Sequence, residues 1–431
     1  MKSAKTSGIL FFLFFMLCVN RENAGGAHIL TPFEQLGKSI FFDMNLSINK
    51  NQACSSCHDP AAGWTGIDSE INAYGAMYQG SITSRFGERK PPSAAYAAVS
   101  PVMHYDRKVE LFIGGNFWDG RATGEKLGNA AADQAQGPFL NPVEHGFADP
   151  ACVVFRVCNA DYPYSLGRVY PGECDIEWPP GLDVDRACSA EKSLVLPDRV
   201  KLKVNESFNS IALAVAAYEA SPEVNPYSSK FDYYLQGKTQ LTEDERQGFD
   251  LFNDKGKCSK CHISDGNKPV FTDFTYDNLG IPGNPENPAY KASSSFLDKG
   301  LGGFLEKQET PAAWQELAKG NMGKHKVPTL RNVDKRPTGT FVKAYMHNGY
   351  FKTLKGVVHF YNTRDIKPTC PELYPEEKAI AENCWPGPEI RNNVNNEELG
   401  DLKLTDKEEE AIVAFMKTLS DGFALEEKNG E

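Results

Sequence analysis

The chain has 431 residues, 41% of them hydrophobic and 24% charged, with 11 cysteines and 8 histidines. That length supports about two domains with real cores. Scattered Gly and Pro with ordinary apolar content exclude collagen-like and disordered chains, and a single long apolar run excludes a polytopic membrane protein. A net charge of -11 argues against nonspecific binding to nucleic acid or anionic lipid and leaves room for a basic partner protein.

Lys2 and Lys5 precede the apolar run Ile9 to Val19, and Ala24, Gly25, Gly26 and Ala27 follow it. This charged, apolar, small-residue order predicts a signal peptide over residues 1–27. The expectation is an exported, periplasmic protein with no stable membrane span after processing, because the run is short for a permanent span. Thr31-Pro32-Phe33-Glu34 then reads as a helix start, with Thr as cap, Pro in the first turn and Glu reaching back. Phe33, Leu36, Ile40 and Phe41 supply its apolar stripe.

Cys54-Ser55-Ser56-Cys57-His58 and Cys258-Ser259-Lys260-Cys261-His262 are two C-x-x-C-H motifs half a chain apart. That string is the attachment site of c-type haem. Two thiols three residues apart share one face of a turn and can bond the two vinyl groups, while the adjacent His reaches the iron. Paired C-x-x-C can also hold zinc; the immediate His in both copies favours two covalently bound haem c groups. Cys152, Cys158, Cys174, Cys188, Cys370 and Cys384 lack the signature, and an even number in an oxidising compartment predicts disulfides. Cys370 and Cys384 could close one loop; the other four allow three connectivities.

Phe208, Ile211, Ala212, Val215 and Tyr218 form a further helical stripe ended by Pro222. Thr242 and Glu245 cap a helix whose Phe249 and Phe252 lead into the second haem motif. Thr405 and Glu408 cap a last one, with Ile412, Phe415, Met416 and Leu419 on one face. Strand-like alternation is scarce, and Gly/Pro-rich stretches occupy 150–200 and 280–325. The expected fold is mainly α: two cytochrome c-like helical domains, each around one haem, with long loops and a boundary near Gly237 to Leu241.

Residues 117–144 read FWDGR, a 12-residue spacer, QAQGP and NPVE. With the two haem motifs, with LGKSIFFDMNLS before the first, and with VPTLRNV and AYMHNGYFKTLKGVVHFY after the second, the chain resembles the bacterial dihaem cytochrome c peroxidase and MauG superfamily. The resemblance implies a peroxidatic haem domain over 28–238, carrying the Cys-rich insertion, and an electron-transfer haem domain over 239–424. It makes His58 and His262 the proximal iron ligands, and sets Gln134, Pro138 and Glu144 in the distal pocket of the peroxidatic haem. Trp118 matches the tryptophan that lies between the haems.

Two departures bear on subtype. The histidine that caps the resting peroxidatic iron in reductively activated members has no counterpart from Asp59 to Ser93, which implies an open first haem. Where those members place a Met ligand, 14 residues beyond the His of Tyr345-Met346-His347-Asn348-Gly349, this chain has Tyr361, as MauG-like proteins do. Tyr361 as a packed aromatic and Met346 as a competing ligand remain alternatives. Lys90 stands where the family's interdomain calcium takes an Asn, so calcium is doubtful. The implied function is a MauG-like peroxidase that uses hydrogen peroxide to form high-valent iron and oxidise a protein or redox-protein partner. The alternatives are a peroxide-detoxifying enzyme fed by a small cytochrome c or cupredoxin, and a non-catalytic dihaem electron carrier.

Overall fold

The computed structural model describes residues 29–425 except residue 294; the expected signal peptide, 1–27, lies outside the described residues. Among those described, no helix is long and apolar enough to cross a membrane, and helices dominate.

The first helix, α1 (Pro32–Phe41), begins as its sequence predicts. Glu34 N donates to Thr31 Oγ1 at 3.3 Å and Thr31 N donates to Glu34 Oε2 at 2.6 Å, closing a capping box. Leu36, Ile40 and Phe41 are buried, whereas Phe33 at the open end of the stripe is 45% exposed and packs edge-on against Tyr170. Helices α2 (Ala130–Leu140), α3 (Pro150–Cys158) and α4 (Asp198–Glu219) complete the first core, with the stripe Phe208, Ile211, Ala212, Val215 and Tyr218 fully inside it. Helices α5 (Glu243–Asn253), α6 (Leu354–Thr363) and α7 (Asp406–Lys417) build the second core. Here Phe231, Phe249, Phe252 and Phe271 surround Phe415 with ring centroids 5.0–6.2 Å away.

The two halves repeat one device. Glycine lets α1 cross α4 closely: a Cβ on Gly37 would meet the Ala214 carbonyl oxygen at 1.9 Å. A Cβ on Gly248 would likewise meet the Ala411 carbonyl oxygen at 1.9 Å where α5 crosses α7. Each crossing is followed by a 3-10 turn that carries the cysteines, Cys54–Ser56 after α1 and Cys258–Lys260 after α5.

The stretch 150–200, expected as loop, contains α3, whose Val153, Val154 and Val157 are fully buried. Its apolar run is short and flanked by turn-forming residues, but Asp149 caps it, Pro150 opens it, and tertiary burial decides the outcome. Nested disulfides Cys152–Cys188 and Cys158–Cys174 tie α3 to the following loop, and Cys370–Cys384 closes the third bridge. The few strands make two small antiparallel pairs. One is β1 (His104–Asp106) with β2 (Leu111–Ile113); the other is β3 (Tyr276–Asp277) with β4 (His325–Lys326). The Tyr276 hydroxyl donates to the Gly114 carbonyl at 2.5 Å, so the second pair is pinned against the loop after the first.

Candidate haem sites

Cys54, Cys57 and His58 line a cavity of about 680 Å³. The turn is closed by His58 N donating to the Cys54 carbonyl at 3.0 Å. The His58 Nδ1–H points at the Trp64 carbonyl, 3.2 Å away, so the lone pair sits on Nε2, as an iron ligand requires. Burial pushes this imidazole down to about 4, so it is neutral. Both thiols are free of disulfides, and burial pushes Cys57 up to about 12.

Gln134 and Pro138 lie four residues apart on α2, hence on one face, and both line the same cavity with Glu144. Glu144 sits in the turn after the helix. Its backbone is fixed by donation to the Asn141 carbonyl at 3.0 Å and by Ser81 N donating to its own carbonyl at 2.7 Å. Asn141 Nδ2 donates to Glu144 Oε1 at 2.6 Å, which aims the carboxyl. Burial raises the Glu144 pKa, against that hydrogen bond, so the group gains the capacity to hold a proton.

The second cavity is lined by Cys258, Cys261 and His262. His262 repeats the arrangement of His58: Nδ1 donates to the Phe271 carbonyl at 2.8 Å and burial pushes the imidazole down to about 4. Tyr361, on α6, lines this cavity, and so does Met346. The Tyr361 phenol is pushed far up by burial, with Cys261 and Cys258 adding to the effect. The two cysteine pairs line different cavities, and among the described residues no cluster joins them, so a four-cysteine zinc site is not formed.

Trp118 is buried and borders both cavities. Its Nε1–H donates to the Lys90 carbonyl at 2.7 Å, which fixes the indole. Lys90 is itself buried, and its Nζ donates to Thr65 Oγ1 and to the Pro91 carbonyl, each at 3.0 Å. Burial lowers it to about 8. An ammonium, not a carbonyl-bearing side chain, thus stands at this position.

Several cavity groups carried no signal in the sequence. Asn141 was visible only as part of NPVE. Glu219 borders the first cavity, and burial pushes its carboxyl up to about 8. His145 also lines that cavity, with Nδ1 2.5 Å from the Leu46 carbonyl. Adjacency to Glu144 was its one available clue.

A profile of the di-haem cytochrome c peroxidase family matches residues 32–240. The methylamine utilization protein MauG of Paracoccus denitrificans is 34% identical over 393 residues, covering 90% of this chain and 88% of that protein. This chain belongs to the dihaem cytochrome c peroxidase and MauG family, and it is a haem-dependent oxidoreductase. Among its relatives, the cytochrome c551 peroxidase of Nitrosomonas europaea is 26% identical over 330 residues, or 75% of this chain and 71% of that one. The crystal structure of the diheme peroxidase BthA from Burkholderia thailandensis aligns with a TM-score of 0.68 at 27% identity, over 91% of this chain and 87% of that chain.

The residues present fit haem. Each cavity offers two free thiols on one turn and a neutral imidazole whose Nδ1 is engaged by a backbone carbonyl. His58 and His262 would hold the irons, and Cys54, Cys57, Cys258 and Cys261 the vinyl edges.

Proposed function

We propose that this chain is an exported, periplasmic dihaem c-type peroxidase of the MauG-like kind, which spends the oxidising equivalents of hydrogen peroxide on a protein or redox-protein partner. The haem pair, when bound covalently at the two C-x-x-C-H turns, supplies the redox chemistry. The reading rests on one observation: a half-buried Glu144, its pKa raised by burial, and Gln134 line the same cavity as His58, where an electron carrier has no use for an acid–base group.

The protein's share of the reaction follows from those groups. Gln134 offers an amide to orient the peroxide, and Pro138 limits the space beside it. Glu144 takes the proton from one peroxide oxygen and delivers it to the other, which leaves as water. Asn141 is a positioning residue that keeps the carboxyl on that line. Trp118, bordering both cavities, is the route for electrons between a first, peroxidatic domain (28–238) and a second, electron-transfer domain (239–424). Tyr361, which lines the cavity with His262, would be the second protein ligand to the iron held there. A phenolate oxygen there favours ferric iron, which suits a protein that stores oxidising equivalents.

A peroxide-scavenging cycle is the second reading, and His145 favours it. Its Nδ1 is tied to a backbone carbonyl as in His58, so Nε2 carries the lone pair and is a potential cap for the first iron. The decisive variant for the first reading is Glu144→Gln. It should slow the reaction with peroxide by roughly 10²–10⁴-fold, the usual share of a general acid–base group, while both haem absorption spectra stay as in the parent. An unchanged rate contradicts the role of Glu144.

A further inference from the structure

We propose that Asp298, His325, His347 and Glu389 form a binding site for one divalent transition-metal ion of zinc type, set beside Trp118 at the wall of the second haem cavity. The site does not depend on the peroxidase reading: all four side chains line the second cavity, Asp298 also borders the first, and none is assigned as a haem ligand or as a group that handles peroxide.

The ligand atoms of Asp298, His325 and His347 lie within 4.8 Å of one another. His325 Nε2 is 3.3 Å from Asp298 Oδ1, and His347 Nε2 is 3.8 Å from Glu389 Oε2; none of these side chains is more than 11% exposed. The His325 Nδ1–H faces the Gly323 carbonyl at 3.1 Å, so in the neutral ring Nε2 bears a lone pair. That lone pair faces a carboxylate oxygen, acceptor against acceptor, and only a cation or a proton between them turns the contact favourable. His325 Nε2, His347 Nε2 and Glu389 Oε2 have no hydrogen-bond partner among the described residues. Buried polar atoms of this kind are normally paired, and leaving them unpaired is costly.

Both carboxylates are anchored as a coordination site needs. Arg89 Nε and Nη2 donate to the two Asp298 carboxylate oxygens at 2.6 and 2.7 Å, and Gly300 N donates to Oδ1 at 2.9 Å. Asp298 N donates to Glu389 Oε1 at 2.6 Å, leaving Oε2 turned towards His347. The Tyr290 hydroxyl is buried beside Glu389, and burial first, then the Glu389 charge, raises the phenol. Such outer contacts fix the ligands and tune the ion. Among the groups linked here, the carboxylates Asp119, Asp298 and Glu389 exceed the guanidiniums Arg89 and Arg121 by one negative charge.

Two imidazoles and two carboxylates suit zinc and its neighbours. Calcium prefers six or more oxygens, and a haem propionate would meet two like charges. The two imidazole rings are stacked 3.5 Å apart and tilted by only 9°, so an ion lying in both ring planes requires them to fan apart about χ2. The His347 ring centroid is 6.4 Å from that of Trp118; an added dication there makes the indole harder to oxidise.

The test uses the haem-loaded protein, stripped with a chelator, incubated with Zn²⁺, desalted and analysed for metals, with haem iron as internal count. The expected result is one zinc per two irons, with zinc K-edge absorption showing two imidazole ligands. Zinc retention should fall at least tenfold in His347→Ala and in the milder Glu389→Gln, whose haem spectra report that the fold is intact. No retained zinc in the parent overturns the site. So does equal retention in a haem-replete Glu389→Gln, or in His347→Ala.

Discussion

Tyr361 and Met346 face the same cavity, and the chemistry of each predicts a different second haem. Burial drives the Tyr361 phenol well above its ordinary range, so only a strong local cation such as ferric iron can hold it as phenolate; a bound metal inverts the local proton preference. Tyr361→Phe should therefore change the visible and electron paramagnetic resonance spectra of the second haem alone, whereas Met346→Leu should leave both haems unaltered. A shift seen with Met346→Leu and none with Tyr361→Phe would reassign the ligand. At this scale the sequence was informative wherever spacing carries the chemistry: two C-x-x-C-H strings, and Gln134, Pro138 and Glu144 in register. It was silent on groups set by tertiary contact. Glu219 follows Tyr218 at the end of a helical stripe and reads as a surface acid, yet α4 is buried along its last turn. His145 lies beyond the stretch from Asp59 to Ser93, and only the fold brings it to the cavity wall.

Helix starts were the most legible elements, because a capping box is local. Thr31, Thr242 and Thr405 each cap as their sequences predict. The close crossings were not legible, since glycine in a helix interior reads as a weak point until the partner helix is known. Gly248→Ala places a methyl group against backbone at Ala411, where neither side has a flexible end to move. It should cost about 1–3 kcal/mol, the usual penalty for overpacking, read as a lower denaturation midpoint of the holoprotein. Gly320→Ala, with nothing within 4 Å of the added carbon, should leave the midpoint in place. Equal effects from the two substitutions would remove the crossing as a stabilising feature. Helix α3 was missed for the opposite reason: its signal is short, and its stability comes from Val153, Val154 and Val157 in a core formed by distant residues.

Across the whole molecule, two helical units carry one plan, a glycine crossing followed by a cysteine turn. Contacts far apart in sequence join them. Arg89 reaches Asp298, Tyr276 reaches Gly114, and Lys326 Nζ donates to Ser100 Oγ at 2.6 Å and to the carbonyl of Gly115. No local pattern could announce these pairs, so the sequence disclosed the units and the place of Trp118 between them, and left the contacts of the junction unread. The boundary expected near Gly237 to Leu241 illustrates this. Phe231, before that point, packs in the second core because its partners, Phe249, Phe271 and Phe415, lie after it.

As a MauG-like peroxidase, the protein should accept peroxide at its first haem site without prior reduction and pass oxidising equivalents onward. The most direct measurement adds stoichiometric hydrogen peroxide to the fully ferric, haem-loaded protein and follows its visible and near-infrared spectrum by stopped flow. A rapid spectral change with no reductant present is the expected result. Inertness that yields only after one-electron reduction would contradict it and point to a capping ligand, with His145 the first to substitute.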